Sequence, residues 1–395
     1  MAGFGNFGVF DGTSGIVCVK AEGGTVGATS SPTEGTWETI ALGTFSTAIQ
    51  NWDLAHTAAK VTESAARLRV VPRTPLGGAL AGPLASSLAS WELEVPMIGL
   101  GTGGFDDDTS IPRVLHQILS TCGIVTNNGT SVVWNPRAHV GQYVGQTATN
   151  GADVVARSFS MLYADGVTFD ESSTPADVEY VMRITRLTGC RVGKVTIEMP
   201  VAGVCMFKIA GLGVNTEIST YPADEAAIDD ATLALHDWEG ASGADTVTMN
   251  GAASTIEMRT TGGTQSMYLS NLTIDIDFGA EHIMADAAAS GVVAVGNSYP
   301  TITGSMDPVL TPQTDYNWWN HLHDQTAAND WAAFAMTPIF PAGRNDDEGY
   351  SWDVSMPYMQ FTGEPTQDKT QRLSASFEAT RGDDVTNEPL TLTLD

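Results

Sequence analysis

Trp91-Glu92-Leu93-Glu94-Val95-Pro96-Met97 puts an apolar residue at every second position, with both glutamates between them. Successive side chains of a strand point to opposite faces, so this stretch reads as a half-buried strand, one face on a core and one in water. The alternation recurs in Leu272-Thr273-Ile274-Asp275-Ile276-Asp277-Phe278, in Trp352-Asp353-Val354-Ser355-Met356 and in Leu373-Ser374-Ala375-Ser376-Phe377-Glu378. One-sided strands belong to antiparallel sheets, because strands of parallel sheets are buried on both faces and read as continuous apolar runs.

Composition agrees with an all-β chain. Of 395 residues, 42% are hydrophobic, enough for a sizeable core and two units of ordinary size. Only 16% are charged and 41 are glycine, a mix poor in the long side chains that favour helices. Two short helices are predicted. One covers 112–121, with Ser110 as N-cap and Pro112 in the first turn; the other covers 315–323 and starts at Asp315. The order strand (91–97), helix, strands (131–135, 158–163) returns as strand (301–306), helix, strands (331–338, 351–358), which predicts an internal duplication. The expected organisation is an extended arm over 1–55, a first β unit over 56–215, an acidic linker region over 216–245 and a second β unit over 246–395.

The charge is lopsided. Forty-six Asp and Glu oppose 18 Lys and Arg, a formal charge of −28. Residues 1–210 carry 13 basic and 18 acidic side chains, whereas 211–395 carry 5 and 28. Affinity for nucleic acid comes mainly from cations that neutralise phosphates, so this chain is not expected to grip DNA. It is suited to standing beside DNA that moves past. No basic leader with an apolar run opens the sequence, and no stretch has the ~18 apolar residues of a membrane span. Cys18, Cys122, Cys190 and Cys205 lack metal-ligand spacing and are too sparse for a disulfide framework, so they read as buried thiols.

The chemical motifs fail on context. Gly99-Leu-Gly-Thr-Gly-Gly104 fits a dinucleotide loop but runs into Asp106-Asp107-Asp108, which would repel a pyrophosphate. His321 and His323 are two apart and diverge on a helix. Asp106–Asp108 and Asp346-Asp347-Glu348 lack the ligand spacing of a calcium loop. Arg381-Gly-Asp383 and Asp277-Phe-Gly279 lack the surroundings that give such tripeptides meaning. No catalytic, cofactor or metal site is expected. The basic residues Arg67, Arg69 and Arg73, with Arg183, Arg186, Arg191 and Lys194, form two clusters suited to head-to-tail contacts between copies.

Four stretches in order carry a family resemblance. They are Val70-Val-Pro-Arg-Thr-Pro-Leu-Gly-Gly78 leading to Trp91; Leu119-Ser-Thr-Cys-Gly123 with Trp134-Asn-Pro136; Tyr163-Ala-Asp-Gly166 with Leu187-Thr-Gly-Cys-Arg-Val-Gly193 and Met206-Phe-Lys-Ile-Ala-Gly211; and Ile302-Thr-Gly-Ser-Met-Asp-Pro308 through Tyr358-Met-Gln360 to Leu390-Thr-Leu-Thr-Leu394. Over roughly 60–395 the chain resembles the tail tube proteins, or major tail proteins, of long-tailed bacteriophages, in their long two-unit form.

The resemblance implies two tandem β-sandwich units, each with a short flanking helix, whose strands join between subunits into a closed central β-barrel. It implies a structural virion protein, not an enzyme, in stacked rings around a channel that conducts double-stranded DNA during ejection. A ring of three two-unit chains with pseudo-sixfold symmetry is favoured, with a hexamer as the alternative. Expected partners are further copies, a tail terminator, a tape measure protein and a distal tail protein. Assembly is expected in the host bacterial cytoplasm, and no membrane contact is expected. The wet-face acids Glu92, Glu94, Asp275, Asp277, Asp353 and Glu378 are the candidates for the channel wall. A capsid decoration or surface adhesion β-protein is the competing reading, and an enzyme with a diffuse site a third.

Overall fold

The computed structural model describes residues 16–25, 57–67, 84–97, 115, 118–127, 132–137, 142–145, 154–170, 179–201, 203–221, 253–258, 263–284, 291–309, 332–337, 352–362, 366–367, 373–380 and 388–394. Among these the fold is almost entirely β. The first part contains β1 (Ile16–Thr25), β2 (Ala58–Arg67), β3 (Leu84–Pro96), β4 (Gly123–Asn127), β5 (Val132–Pro136), β6 (Gln142–Gly145), β7 (Val154–Asp170), β8 (Glu179–Pro200), β9 (Met206–Gly213) and β10 (Asn215–Tyr221). The second contains β11 (Ala253–Met258), β12 (Gly263–Met267), β13 (Leu269–Asp277), β14 (Glu281–Met284), β15 (Val292–Gly296), β16 (Thr301–Pro308), β17 (Ala332–Thr337), β18 (Trp352–Phe361), β19 (Thr366–Gln367), β20 (Leu373–Ala379) and β21 (Thr391–Leu394).

All four stretches read as alternating are strands, and they alternate as expected. Trp91, Leu93 and Val95 are buried, as are Ile274 and Ile276, Trp352 and Val354, and Ala375 and Phe377. Every described pairing is antiparallel except β4 with β6. Helical backbone is described at Leu115, Ile118 and Leu119, inside the helix expected over 112–121. That turn is fixed at its end: the Leu119 carbonyl accepts from the Cys122 N–H at 3.1 Å and from the Trp134 indole N–H at 3.1 Å. The helix expected over 315–323 lies outside the described residues.

β8 organises the molecule. Along one edge it pairs with β9 and then β10, from Glu198↔Met206 to Met182↔Tyr221, making one long hairpin. Along its other edge the partner changes. β7 pairs as far as Cys190, and β13 takes over at Lys194 and continues to Pro200. β8 therefore belongs to two sheets, and the expected halves of the chain are joined by backbone pairing. A second joint links β5 to β21, Trp134↔Leu392. One hydrophobic core runs through both halves, uniting Trp91, Trp134, Phe159 and Phe207 with Ile274, Trp352, Phe377 and Leu392. The Trp91 and Phe159 rings meet edge-to-face at 5.1 Å, and those of Phe207 and Trp352 at 5.2 Å.

The pairing order β7–β8–β9–β3–β2 has a counterpart in β17–β18–β20–β16–β13. In both, a strand hairpin (β2–β3, β13–β16) pairs through its second strand with the last strand of a later hairpin.

Strand pairing runs across two of the expected boundaries. The arm over 1–55 includes β1, which pairs with β7 along its whole length and buries Val17, Cys18 and Val19 completely. Consecutive buried residues mean that both faces of β1 are covered, so no alternation marks it. Glu22, 1% exposed, is the lock: its carboxylate accepts from the Ser158 hydroxyl at 2.6 Å and from the Gly189 N–H at 3.0 Å. Gly189 has φ of 66°, the left-handed region that glycine adopts without a Cβ penalty. The linker expected from 216 begins inside β10, whose Asn215–Tyr221 pairs with Thr188–Met182.

Candidate functional site: a polar sheet face

The antiparallel run β2–β3–β9–β8–β13–β16–β20–β18 has one face on the core and the other polar and open to water, except around Leu88 and Leu212, where Val292 and Val295 of β15 pack on it. Directly opposed residues share a face, so a single lateral row can be followed across it. Ala58 opposes Glu94, Glu94 opposes Lys208, and Lys208 opposes Thr196. Thr196 opposes Asp275, which opposes Thr303, then Glu378, then Gln360. The next row carries Lys60, Glu92, Ala210, Lys194, Asp277 and Thr301. Five of the six expected wall acids, Glu92, Glu94, Asp275, Asp277 and Glu378, thus lie on one face. Asp353 lies elsewhere, on the stretch of β18 that pairs with β21, opposite Thr393.

The same rows show what sequence reading left out. Glu198 opposes Thr273 and Asp307 opposes Asn271, adding two carboxylates, while Lys60 and Lys208 add two cations. Both segments obey the same alternation: Lys194-Val-Thr-Ile-Glu198 and Met206-Phe-Lys-Ile-Ala210 were legible by the rule that found Trp91–Met97. Among the described residues the face holds seven carboxylates (Glu92, Glu94, Glu198, Asp275, Asp277, Asp307, Glu378), three lysines (Lys60, Lys194, Lys208) and Arg191.

Two of those lysines are neutralised within the face. Lys194 Nζ sits 2.8 Å from Asp275 Oδ1, across the β8–β13 joint, and Lys208 Nζ 2.8 Å from Glu198. Thr196 donates its hydroxyl to Asp275 Oδ1 at 2.6 Å. Partial burial pushes the Asp275 pKa up, but the ammonium of Lys194 and the Thr196 hydroxyl outweigh it and hold the carboxyl below its usual range. The Glu198 carboxylate raises the pKa of Lys208 through its hydrogen bond, with Glu94 adding to it. The remaining carboxylates leave the face negative.

The expected basic clusters do not converge on this face as a unit. Lys194 is paired with Asp275, and Arg186 forms an ion pair with Glu217 on β10. Arg191 opposes Leu212, two residues along β9 from Ala210, and so stands on this face with its Nε buried. Arg67 and Arg183 lie on β2 and β8, and Arg69 and Arg73 fall outside the described residues.

Among the described residues no group of His, Cys, Asp and Glu could hold a metal ion. Asp277-Phe-Gly279 is a tight turn after β13, in which the Gly279 N–H donates to Asp277 Oδ1 at 2.8 Å and Gly279 has φ of 57°. The loop Gly99–Gly104, the histidines 321 and 323, the clusters 106–108 and 346–348, and Arg381–Asp383 lie outside the described residues. No helix among the described residues is long and apolar enough to cross a membrane. What the arrangement offers is a broad polar surface rich in hydroxyls and carboxylates, with Lys194 and Lys208 paired within it. No protein-family model and no curated protein matches the chain.

Proposed function

We propose that the chain is a tail tube subunit of a long-tailed bacteriophage, and that its polar sheet face lines the channel for double-stranded DNA. The observation that carries this reading is the placement of Glu92, Glu94, Asp275, Asp277 and Glu378 on one face of one continuous antiparallel run. DNA presents about one negative charge per 1.7 Å of axis, so a surface holding net negative charge repels it and does not retard it. At physiological salt the repulsion reaches about 8 Å, which matters when the wall closely surrounds the duplex. The intramolecular pairing of Lys194 and Lys208 removes cations that would otherwise engage phosphates.

In this reading each chain supplies two similar blocks, and three chains close a ring with pseudo-sixfold symmetry around a central barrel. Rings stack through contacts between different surfaces, which propagate as a filament. Electron microscopy of the purified protein tests the proposal. Hollow tubes or stacked rings with a bore wide enough for duplex DNA are expected. Monodisperse monomers at every concentration tried would refute it, and saturable binding to a capsid or glycan would favour a decoration or adhesion protein.

A further inference from the structure

β13 and β16 form a hairpin in which Asp277 opposes Thr301, yet residues 278–300 lie between them. Hairpin connections usually take about two to five residues, so this one is an excursion with a structure of its own. It is clasped at its base. Ser298 donates its N–H at 2.7 Å and its hydroxyl at 3.0 Å to the Phe278 carbonyl, and the Phe278 N–H donates to Gly193 O at 2.8 Å. Beyond the clasp, Gly279 turns the chain at φ of 57°. β14 and β15 then pair with each other as a two-stranded sheet separate from the large one.

The excursion folds back over the end of the polar face. Ala280 rests on Gly193 of β8, where an added Cβ would lie 3.0 Å from that of Ala280. Val292 and Val295, each buried, close over Leu88, Leu212 and Val214 as a small apolar cluster apart from the main core. β14 adds little burial, since Ile283 and Met284 are 47% and 52% exposed. Two side chains reach down to the sheet backbone: His282 Nε2 lies 3.2 Å from Gly213 O, and Asn297 Nδ2 donates to Val192 O at 3.0 Å. Asn297 Oδ1 is buried with no hydrogen-bond partner among the described residues, a cost that water relieves when the hairpin lifts.

We propose that β14–β15 is a lid that lifts from the sheet as a unit while the rest of the molecule stays folded, uncovering the apolar strip of Leu88 and Leu212. Proteins open in contiguous units, and those held by few buried apolar contacts open at lower free energy than the core. The lid is held by two valines on a satellite cluster, whereas β13, on the other side of the clasp, buries Leu272, Ile274 and Ile276 completely in the main core. The clasp sits where the β13–β16 pairing ends, so lifting leaves that pairing whole, and Gly279 absorbs the rotation without a Cβ penalty. The polar face therefore has two states, one covered at its end and one with an apolar strip open to a partner. The inference goes beyond the tube reading and does not rest on it.

Thiol labelling of the full-length protein, read by mass spectrometry, tests it. Val295→Cys places a thiol of similar size under the lid, and Cys122, Cys190 and Cys205, all in the main core, report opening of the whole molecule. Under native conditions the new thiol is expected to react at least about tenfold faster than the native ones. Adding Val292→Ala should speed it roughly tenfold further and leave the native cysteines at their former rate. Hydrogen exchange of the wild-type protein guards against the substitution itself loosening the lid. There the amides of Glu281–Met284 and Val292–Gly296 should exchange ahead of those of Leu272–Ile276. All five thiols reacting in step, or lid amides of wild type protected as strongly as those of β13, would overturn the inference. Neither result touches the tube reading, which microscopy decides.

Discussion

Replacing Asp275 with Asn isolates the electrostatics of the β8–β13 joint. The carboxylate accepts from Lys194 and from Thr196, and the side chains of Lys194 and Asp275 are 51% and 35% exposed. Exposed pairs are worth about 0.2–1 kcal/mol after solvent screening. Asn keeps an acceptor for Thr196 but loses the charge that strengthens that hydrogen bond, a further change on the order of 0.5 kcal/mol. The expected cost at pH 7 is about 1 kcal/mol, read as a lower urea midpoint with unchanged slope.

The pH dependence gives the sharper test. Lys194 and Thr196 depress the folded-state pKa of Asp275 below its unfolded value of about 3.9, so the stabilisation is complete above that value. It declines as pH falls through the folded-state pKa. The gap between wild type and variant should therefore shrink toward zero in acid. A double-mutant cycle with Lys194→Met should recover under 1 kcal/mol of coupling. A variant that loses more than about 3 kcal/mol, or whose deficit persists unchanged in acid, would mean that Asp275 does something the sheet geometry does not contain.

Other expectations follow from the same structure. Phe377, 1% exposed, closes over Gly304, where an added Cβ would lie 2.4 Å from its ring. Phe377→Ala should cost about 3–5 kcal/mol in chemical denaturation, and Gly304→Val should be comparably harmful because Thr273 O lies 2.3 Å from the same point. Trp134→Phe keeps a buried ring and removes one donor to the Leu119 carbonyl, which still accepts from the Cys122 N–H, so it should lower stability by about 0.5–1.5 kcal/mol. Burial raises the thiol pKa of Cys205 to about 12 and pushes Cys122 and Cys190 up as well. A thiol reagent should therefore leave the native cysteines unmodified and label all four after denaturation. Glu92→Lys with Glu378→Lys should leave tubes intact but slow DNA ejection in a phage assay; unchanged kinetics would place that face away from the channel.

The face-bearing strands were legible because each is buried on one side only. Trp91–Met97 and Leu272–Phe278 announce both core and wet face in seven residues. β1 escaped because Val17, Cys18 and Val19 are all buried, so it carries no period of two, and because the partners of Glu22, Ser158 and Gly189, are far away in sequence. β10 escaped because Asn215-Thr-Glu-Ile-Ser-Thr-Tyr221 precedes an acidic stretch whose composition dominated the reading. The handover on β8 is also invisible in sequence, since it depends on which strand lies alongside, and alternation reports only which face is buried. The six acids were found by the correct rule, but Asp353 shows its limit. Alternation identifies a wet face without saying which wet face, and only strand pairing separates Asp353 from the other five.

A strand of 22 residues spans roughly 70 Å at the usual rise of about 3.3 Å per residue. Because β8 passes unbroken from the sheet of β7 to that of β13, it behaves as a tie rod. Tension applied to β13 and its neighbours reaches β7 and β1 through hydrogen bonds loaded along the strand, where many must fail together before any slip occurs. Among the described residues the two halves are tied by this strand and by the β5–β21 pairing. Relative movement of the halves has to break these pairings, so in an assembly of the proposed kind bending is expected first at the contacts between copies.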